Sequence, residues 1–436
     1  MANQIDVARP TCFSSCSDSG QTGPILLVDI NSYFATLLQQ ENPKLRGKPL
    51  AVVKDLGRTC VIAASKEAKK LGVKTGSNLF QAKRCAPNLI EVEAEFELYL
   101  SATKRLKKLF ETISPDVIVY SLDEAFIDLS HCRKHLYSDR SVGQVGQQIQ
   151  EQIKAELGSW VTSNVGIGPN RFLAKMAAEI SPKGAVFEIN SDNLDPVLAS
   201  VEFEDVCGIG RRLAKKLSMI NVHHPYQIRF FSETDLDPIF GPFWTQELFK
   251  MAYGHEPHHL ALLDQPLSQM KSVSRSITLW KLTDDQALIK RILYNLTREV
   301  VYKARKMNLM GRRVGLILSG SDQFQSLGWR SHLTFKHHLN HTQEVFEVIW
   351  DRLYQSWSKN FKPIKLRVSL SLLEPADHLT RPLLPSWHKQ EAIETALDQL
   401  SARYGLFAVK SGLLAEGEAI RPEVTGFFGD KQYQLV

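Results

Sequence analysis

The sequence predicts an α+β protein of several units, and three observations carry that reading. Between residues 24 and 190, apolar and alternating runs interleave with helix-period segments in irregular order, without a regular βαβ repeat. Such a pattern favours a mostly antiparallel sheet covered by helices on one face. From Pro196 to about His259 the chain shows short helical patterns, Gly-Pro breaks and no convincing strand, and from 271 to 374 alternating strands return as a separate α+β unit.

The elements follow in order. PILLVDI is a continuous apolar run ending at Asp29, read as a buried strand. NSYFATLLQQENP is a short helix stopped by Pro43, and LRGKP turns the chain into the strand LAVV. TCVIAAS leads into the helix KEAKKLG, closed by Gly72, and the helix FQAKRCAP precedes the strand NLIEVEA. Residues 96–112 form an amphipathic helix with Leu98, Ala102, Leu106 and Leu109 on one face. DVIVYS and AFIDLS then read as a hairpin around Leu122, Asp123 and Glu124. A long helix (QVGQQIQEQIKAELG), the strand VTSNVGIG and the helix NRFLAKMAAEI complete the region, with Gly166 and Gly168 read as a turn before that last helix. The second α+β unit comprises the strand SVSRSITLW, a helix from Asp285 to Lys306, the strands RRVGLILSG and SHLTFKHHL, the helix QEVFEVIWDRLYQSW and the strand IKLRVSLSLL. The helix KQEAIETALDQLSARYG and a polar tail follow.

Composition narrows the class. In 436 residues, 43% are hydrophobic and 23% charged, which excludes a mainly disordered, collagen-like or coiled-coil chain. No apolar run approaches the roughly 18 residues of a membrane span. Residues 1–23 lack an apolar stretch, so they read as a flexible leader and not a signal peptide. Six cysteines make no disulfide framework, and Cys12 and Cys16 have no second ligand pair for zinc, so a reducing cytoplasm is expected. His337, His338 and His341 read as surface residues, because neighbours on an alternating strand face opposite ways. Residues 271–374 hold 18 Lys+Arg against 8 Asp+Glu, while the remainder holds 35 against 39. All the positive excess therefore lies in one unit, which points to a polyanionic partner or, more plainly, a solvated surface.

Asp29 ends an apolar strand, where an ionised carboxylate is paired, bound to metal, or caps the following helix. Asp123 and Glu124 are adjacent acids at a hairpin turn, either a solvated turn or an acidic focus suited to Mg²⁺. Three carboxylates at two strand ends suit the two Mg²⁺ ions of an in-line phosphoryl displacement.

These residues carry a resemblance. VDINSYFATL resembles the first catalytic motif of the Y-family (translesion) DNA polymerases, and SLDEAFIDLS resembles the second. NPKLRGKPLAVV, NVGIGPNRFLAKMAA and VCGIGRRLAKKL resemble the family's strand entry, palm helix and thumb helix-hairpin-helix, in the family's order. With Asn31 in place of a second Asp, the chain looks most like the branch of the bacterial polymerase V catalytic subunit.

The resemblance implies a right-hand polymerase with a mixed or antiparallel palm sheet. The palm would comprise 24–34 and 98–190, the fingers 35–97 and the helix-hairpin-helix thumb 191–265. Residues 271–374 would be an α+β little finger that binds DNA, and 375–436 a C-terminal helix and tail. It implies low-fidelity, DNA-directed synthesis past damaged template in an SOS or repair setting, with primer-template DNA and dNTP as substrates. Two Mg²⁺ ions would be held by Asp29, Asp123, Glu124 and the Ile30 carbonyl. Asn31, Ser32, Tyr33 and Phe34 would line the nucleotide, with Phe34 as steric gate against a ribose 2′-OH. Lys66 and Lys69 stand where the family usually carries Tyr and Arg, and Lys183 replaces a displaced palm lysine, all three toward the triphosphate. Gly208, Gly210, Arg211, Arg212, Lys271, Arg275, Arg312 and Arg313 would contact DNA. The tail, with Gln432 and Leu435, partly resembles sliding-clamp peptides; a solvated terminus is the plainer reading. Accessory subunits stay open. Two rivals remain on the residues alone: a non-catalytic DNA-binding family member, which would lack a carboxylate, and a palm-like nucleotide cyclase, which needs neither thumb hairpin nor basic unit.

Overall fold

The computed structural model describes residues 23–54, 60–132, 140–264, 270–279, 281–321, 326–380, 385–405 and 408–414. The first sheet has the order β5-β6-β1-β7-β8, with β1 (Ile25–Ile30) at its centre, flanked by β6 (Glu124–Asp128) and β7 (Ser163–Gly168). Both flanking pairs are antiparallel, β5 (Val117–Val119) pairs antiparallel with β6, and β8 (Val186–Glu188) joins β7 in parallel. The sheet is therefore mixed.

Helices cover both faces, which corrects the one-face expectation. Leu26, Val28 and Ile30 of β1 pack with residues of the helices Phe96–Glu111 and Val142–Leu157. Leu27, with Phe126 of β6, belongs to the core built on the helix Arg171–Ile180. A run such as ILLV, apolar at every position, is the mark of a strand buried on both sides. Gly166 and Gly168 are not a turn but part of β7: a Cβ on Gly166 would stand 2.0 Å from the Ala174 carbonyl oxygen. Their bareness lets the helix Arg171–Ile180 lie directly on the strand.

A second, three-stranded sheet joins β3 (Val61–Ala64), β2 (Leu50–Val53) and β4 (Ile90–Glu93), with a small core of its own that includes Ala51, Val61, Ala68 and Leu79. Among the described residues, the regular elements from 194 to 264 are helices, with no strand, as expected. They do not form an independent core, since Leu198, Leu217, Leu248 and Leu260 pack in one cluster with Leu27 and Phe172.

The basic unit is a four-stranded antiparallel sheet of order β11-β10-β12-β9, from Ser326–Leu339, Leu309–Ser321, Pro363–Pro375 and Ser272–Thr278. Its inner face, including Val273, Val314, Leu316 and Val368, is buried against the helix Gln286–Lys306. The helix Pro385–Tyr404 is fastened to this unit by charge: Arg305 contacts Asp398 at 2.7 Å and Glu394 at 2.9 Å, and Glu394 accepts the Thr342 N–H at 2.7 Å. His341 is buried there and packs against the Trp387 ring, unlike the surface position expected of it. The reason is that the helix Pro385–Tyr404 covers a strand end that is open in the sequence reading.

Candidate active site and nucleic-acid interface

The ends of β1 and β6 build the site. Asp29 stands directly opposite Glu124 on one side and Asn164 on the other. Directly opposed residues of an antiparallel pair share a face, so all three project toward the helix Arg171–Ile180. The Ile30 N–H donates to the Asp123 carbonyl at 3.0 Å, and the Asn31 N–H to that of Thr162 at 2.9 Å. These bonds bring the Asp123 turn beside the end of β1. Ser32 then takes a left-handed φ of 51° and its carbonyl receives the Thr36 N–H, starting the helix Tyr33–Glu41. A non-glycine residue held there stores strain next to the carboxylates.

Electrostatics distinguish the three acids. Burial, then the charges of Glu124 and Asp123, push the Asp29 carboxyl up to about 7, against a smaller downward pull from Lys183 and Lys175. Burial and Glu124 also push Asp123 upward, partly offset by the Ser121 hydroxyl that bonds it. Glu124 is taken by Lys175, whose ammonium lies 2.5 Å from Oε1, 3.3 Å from Glu179 and 5.1 Å from the centre of the Tyr120 ring. Burial alone would lower the Lys175 pKa; Glu124 and Glu179 outweigh it and the net shift is upward. Lys175 is only 6% exposed and was not among the expected site residues. The signal was a lysine inside an apolar helix, between the buried Phe172, Leu173, Ala174, Met176 and Ala177. Among the described residues no three acidic, His or Cys groups already form a closed metal-ligand set.

Tyr33 and Phe34 divide as a wall and a surface. Tyr33 is buried, its hydroxyl donating to the Tyr99 carbonyl at 2.8 Å and facing Thr103. Phe34 is half-buried and stacks on the Tyr99 ring, centroids 4.2 Å apart. Of the three expected triphosphate lysines, two approach the acids. Lys69 has its pKa lowered by burial and by the charge of Lys183, while Asp29 and Asp123 pull it up. Lys66 instead lies over the Trp160 ring at 4.5 Å, away from this group.

The expected DNA contacts separate too. Gly208 has φ +94° and its bare Cα lies against His259, while Gly210 caps the helix Arg211–Met219 in open space. Arg211 and Arg212 are exposed, as is Lys271, and Arg313 lies on the open sheet face with Nε 3.0 Å from the Thr334 hydroxyl. Arg312 faces Glu374 at 3.8 Å. Arg275 must be corrected. It is 6% exposed and held by Glu299 at 2.6 Å on the inner face of β9, so it cannot reach DNA. The register instead places Arg330 and Arg367 beside Ile317, both exposed on the open face with Lys365 nearby. The tail with Gln432 and Leu435, like Cys12 and Cys16, lies outside the described residues.

Comparison with known proteins decides the family. Residues 28–179 match the impB/mucB/samB family, and residues 270–383 match its C-terminal domain. The chain belongs to the impB/mucB/samB family. A DNA polymerase IV of Acetivibrio thermocellus is 27% identical over 91% of this chain and 98% of its own. Another, of Moorella thermoacetica, is 29% identical over 87% of this chain and 93% of its own. Among solved structures, a Y-family DNA polymerase chimera built on Dbh is similar with a TM-score of 0.67 at 24% identity, covering 80% of this chain and 98% of that one. DinB from Sulfolobus solfataricus gives 0.51 at 25%, with the same coverage. The α+β Y-family polymerase fold expected of the sequence is the fold found. These matches speak for the family as a whole, not for the polymerase V branch within it.

Proposed function

We propose that this family member is a DNA-directed DNA polymerase of low fidelity that extends a primer opposite damaged template. The observation that carries the reading is the meeting of Asp29, Asp123 and Glu124 at the ends of two paired strands, with Lys69 and Lys183 acting on the same group. The first sheet and its helices serve as palm, the three-stranded sheet as fingers, residues 191–265 as thumb and the basic unit as little finger.

The donor set fits Mg²⁺. It is all oxygen, and burial, with the charges of Glu124 and Asp123, raises the proton affinity of Asp29, a penalty that a bound cation would relieve. Asp29, Asp123, Glu124 and the Ile30 carbonyl would hold two such ions. When bound, they supply charge neutralisation at the primer hydroxyl and at the departing pyrophosphate.

The chain's own groups do the rest. Lys69 and Lys183 present two cations to the triphosphate. Phe34, backed by Tyr99, occupies the space a 2′-OH would need, so ribonucleotides are turned away by collision. Lys175 holds Glu124 in place before substrate arrives. The open face of the four-stranded sheet, with Arg313, Arg330 and Arg367 among small hydroxyl side chains, suits a sequence-independent grip on the duplex backbone. The helix cap at Gly210 and the adjoining Arg211 and Arg212 suit a second phosphate. The test is primer extension with Mg²⁺ and dNTPs. Wild-type protein extends, and Asp123→Ala abolishes extension while DNA binding persists. Retention of more than a few per cent of activity in that variant defeats the reading.

A further inference from the structure

Asn164 is a fully buried polar side chain, 0% exposed, in the middle of the palm. An asparagine amide offers two donor hydrogens and two acceptor lone pairs. Here every one of them is used. Nδ2 donates to the Ala178 carbonyl at 2.9 Å and to the Ser181 hydroxyl at 2.9 Å. Oδ1 accepts the Gly184 N–H at 2.8 Å and the Asn31 side-chain amide at 3.1 Å. One side chain thus ties the end of the catalytic strand to the last turn of the helix Arg171–Ile180 and to both ends of the turn Ser181–Gly184.

That turn carries Lys183, exposed and otherwise free to sweep a large volume. Its backbone has two further supports, the Ala185 N–H to Pro182 at 3.1 Å and the Gln150 amide to the Gly184 carbonyl at 3.1 Å. Neither reaches β1. Gly184 sits at φ +87°, a conformation that other residues resist, so the turn's shape is fixed once its N–H is anchored. The Lys183 charge is felt at both Asp29 and Lys69, so it acts on the carboxylate group from this turn. Asn31, 9% exposed, has no partner for its own Oδ1 among the described residues, so its amide is oriented by Asn164. A flipped amide would set two carbonyl oxygens against each other.

We propose that Asn164 is a positioning residue that sets the Ser181–Gly184 turn, and through it the Lys183 ammonium, at the triphosphate end of the nucleotide site. This rests on the polymerase reading. A positioned cation stabilises the charged phosphates only where its geometry is fixed in advance. A serine at 164 keeps the strand and the burial but is too short to span Asn31 and Gly184 together.

The experiment is single-nucleotide insertion on a primer-template with Mg²⁺, read as kcat and KM for dNTP, in wild type, Asn164→Ser, Lys183→Ala and the double variant. Asn164→Ser should raise KM for dNTP about tenfold, the scale of one lost charge-assisted bond, with DNA affinity unchanged. Lys183→Ala should do the same, and the double variant should be no worse than the poorer single one. Multiplying effects in the double variant would overturn the proposal, as would an unchanged KM in Asn164→Ser. Should Asn164→Ser fold poorly, Ser181→Ala removes two bonds of the same network, the one accepted from Asn164 and the one donated to the Ala178 carbonyl, and should raise KM in the same direction with kcat kept; no change there would count against it. Absence of any insertion by wild-type protein would instead defeat the polymerase reading itself.

Discussion

Asp29→Asn should stabilise the metal-free protein, and by an amount that depends on pH. Asp29 forms no hydrogen bond or ion pair with another described side chain, and its carboxyl is pushed from 3.8 to about 7 by burial and by Glu124 and Asp123. The folded pKa exceeds the unfolded one, so the favourable contribution is fully present below about pH 4 and is lost as pH rises through about 7. A difference of about three units corresponds to about 4 kcal/mol, which wild type forfeits across that window. Asparagine does not titrate and resembles the protonated acid. The variant should therefore match wild type near pH 4 and exceed it by about 4 kcal/mol at pH 8. In a domain of this size that is a Tm difference on the order of 10 °C. Calorimetry with EDTA at both pH values measures it, and saturating Mg²⁺ at pH 8 should raise the Tm of wild type alone. A Tm difference of equal size at both pH values, or a less stable variant at pH 8, would refute the argument, since neither can come from an uncompensated carboxylate.

Other consequences are directly measurable. Phe34→Ala should admit ribonucleotides with little loss of dNTP insertion, because a collision is removed and not a contact; unchanged ribonucleotide use would move the gate elsewhere. Arg330→Ala with Arg367→Ala should lower the slope of log K against log salt by about 1.8, roughly 0.9 for each phosphate contact, for any DNA sequence. Arg275→Ala should leave that slope alone and cost about 3 kcal/mol of stability, because it abandons the buried Glu299 carboxylate. If the tail is a clamp anchor, deleting residues 431–436 should abolish stimulation by a sliding clamp while leaving distributive synthesis intact; equal stimulation of both proteins would assign the tail no clamp role.

Much of the site was legible because it breaks local rules. An apolar strand that ends in Asp29, and a hairpin that turns on two acids, are conflicts visible without coordinates. Arg275 was misread although its neighbours held the answer. Val273 and Ile277 share its side of an alternating strand, so the apolar face carried the arginine inward, and Glu299 supplied the balancing charge. Lys66 was not resolvable in this way, since what draws it aside is Trp160, far along the chain and brought near only by the fold. The double burial of β1 was written in its unbroken ILLV run, but the helix that covers the second face depends on Gly166 and Gly168, which look like turn residues until their contacts are known.

Buried charge alone does not mark the catalytic group, because this chain buries charge in several places. Arg275 is matched by Glu299, and Arg305 by Glu394 and Asp398. In each of those, attraction between the partners offsets the loss of water, and the result is a fastening. Around Asp29 the balance is different. Lys175 is already shared between Glu124 and Glu179, and Asp123 is bonded by the Ser121 hydroxyl and a backbone group, so Asp29 is left to hold a proton near neutrality. Folding does not favour leaving a carboxylate in that condition. A divalent cation would remove the imbalance, and so would the paired cations Lys69 and Lys183 if they moved closer, but the charges of those two lysines already oppose each other. On the Lys183 side, the turn is held in register with the acids by a neutral amide, Asn164, which adds no charge of its own. A charged residue in that position would collapse the group into another fastening, and the room for a nucleotide would go with it.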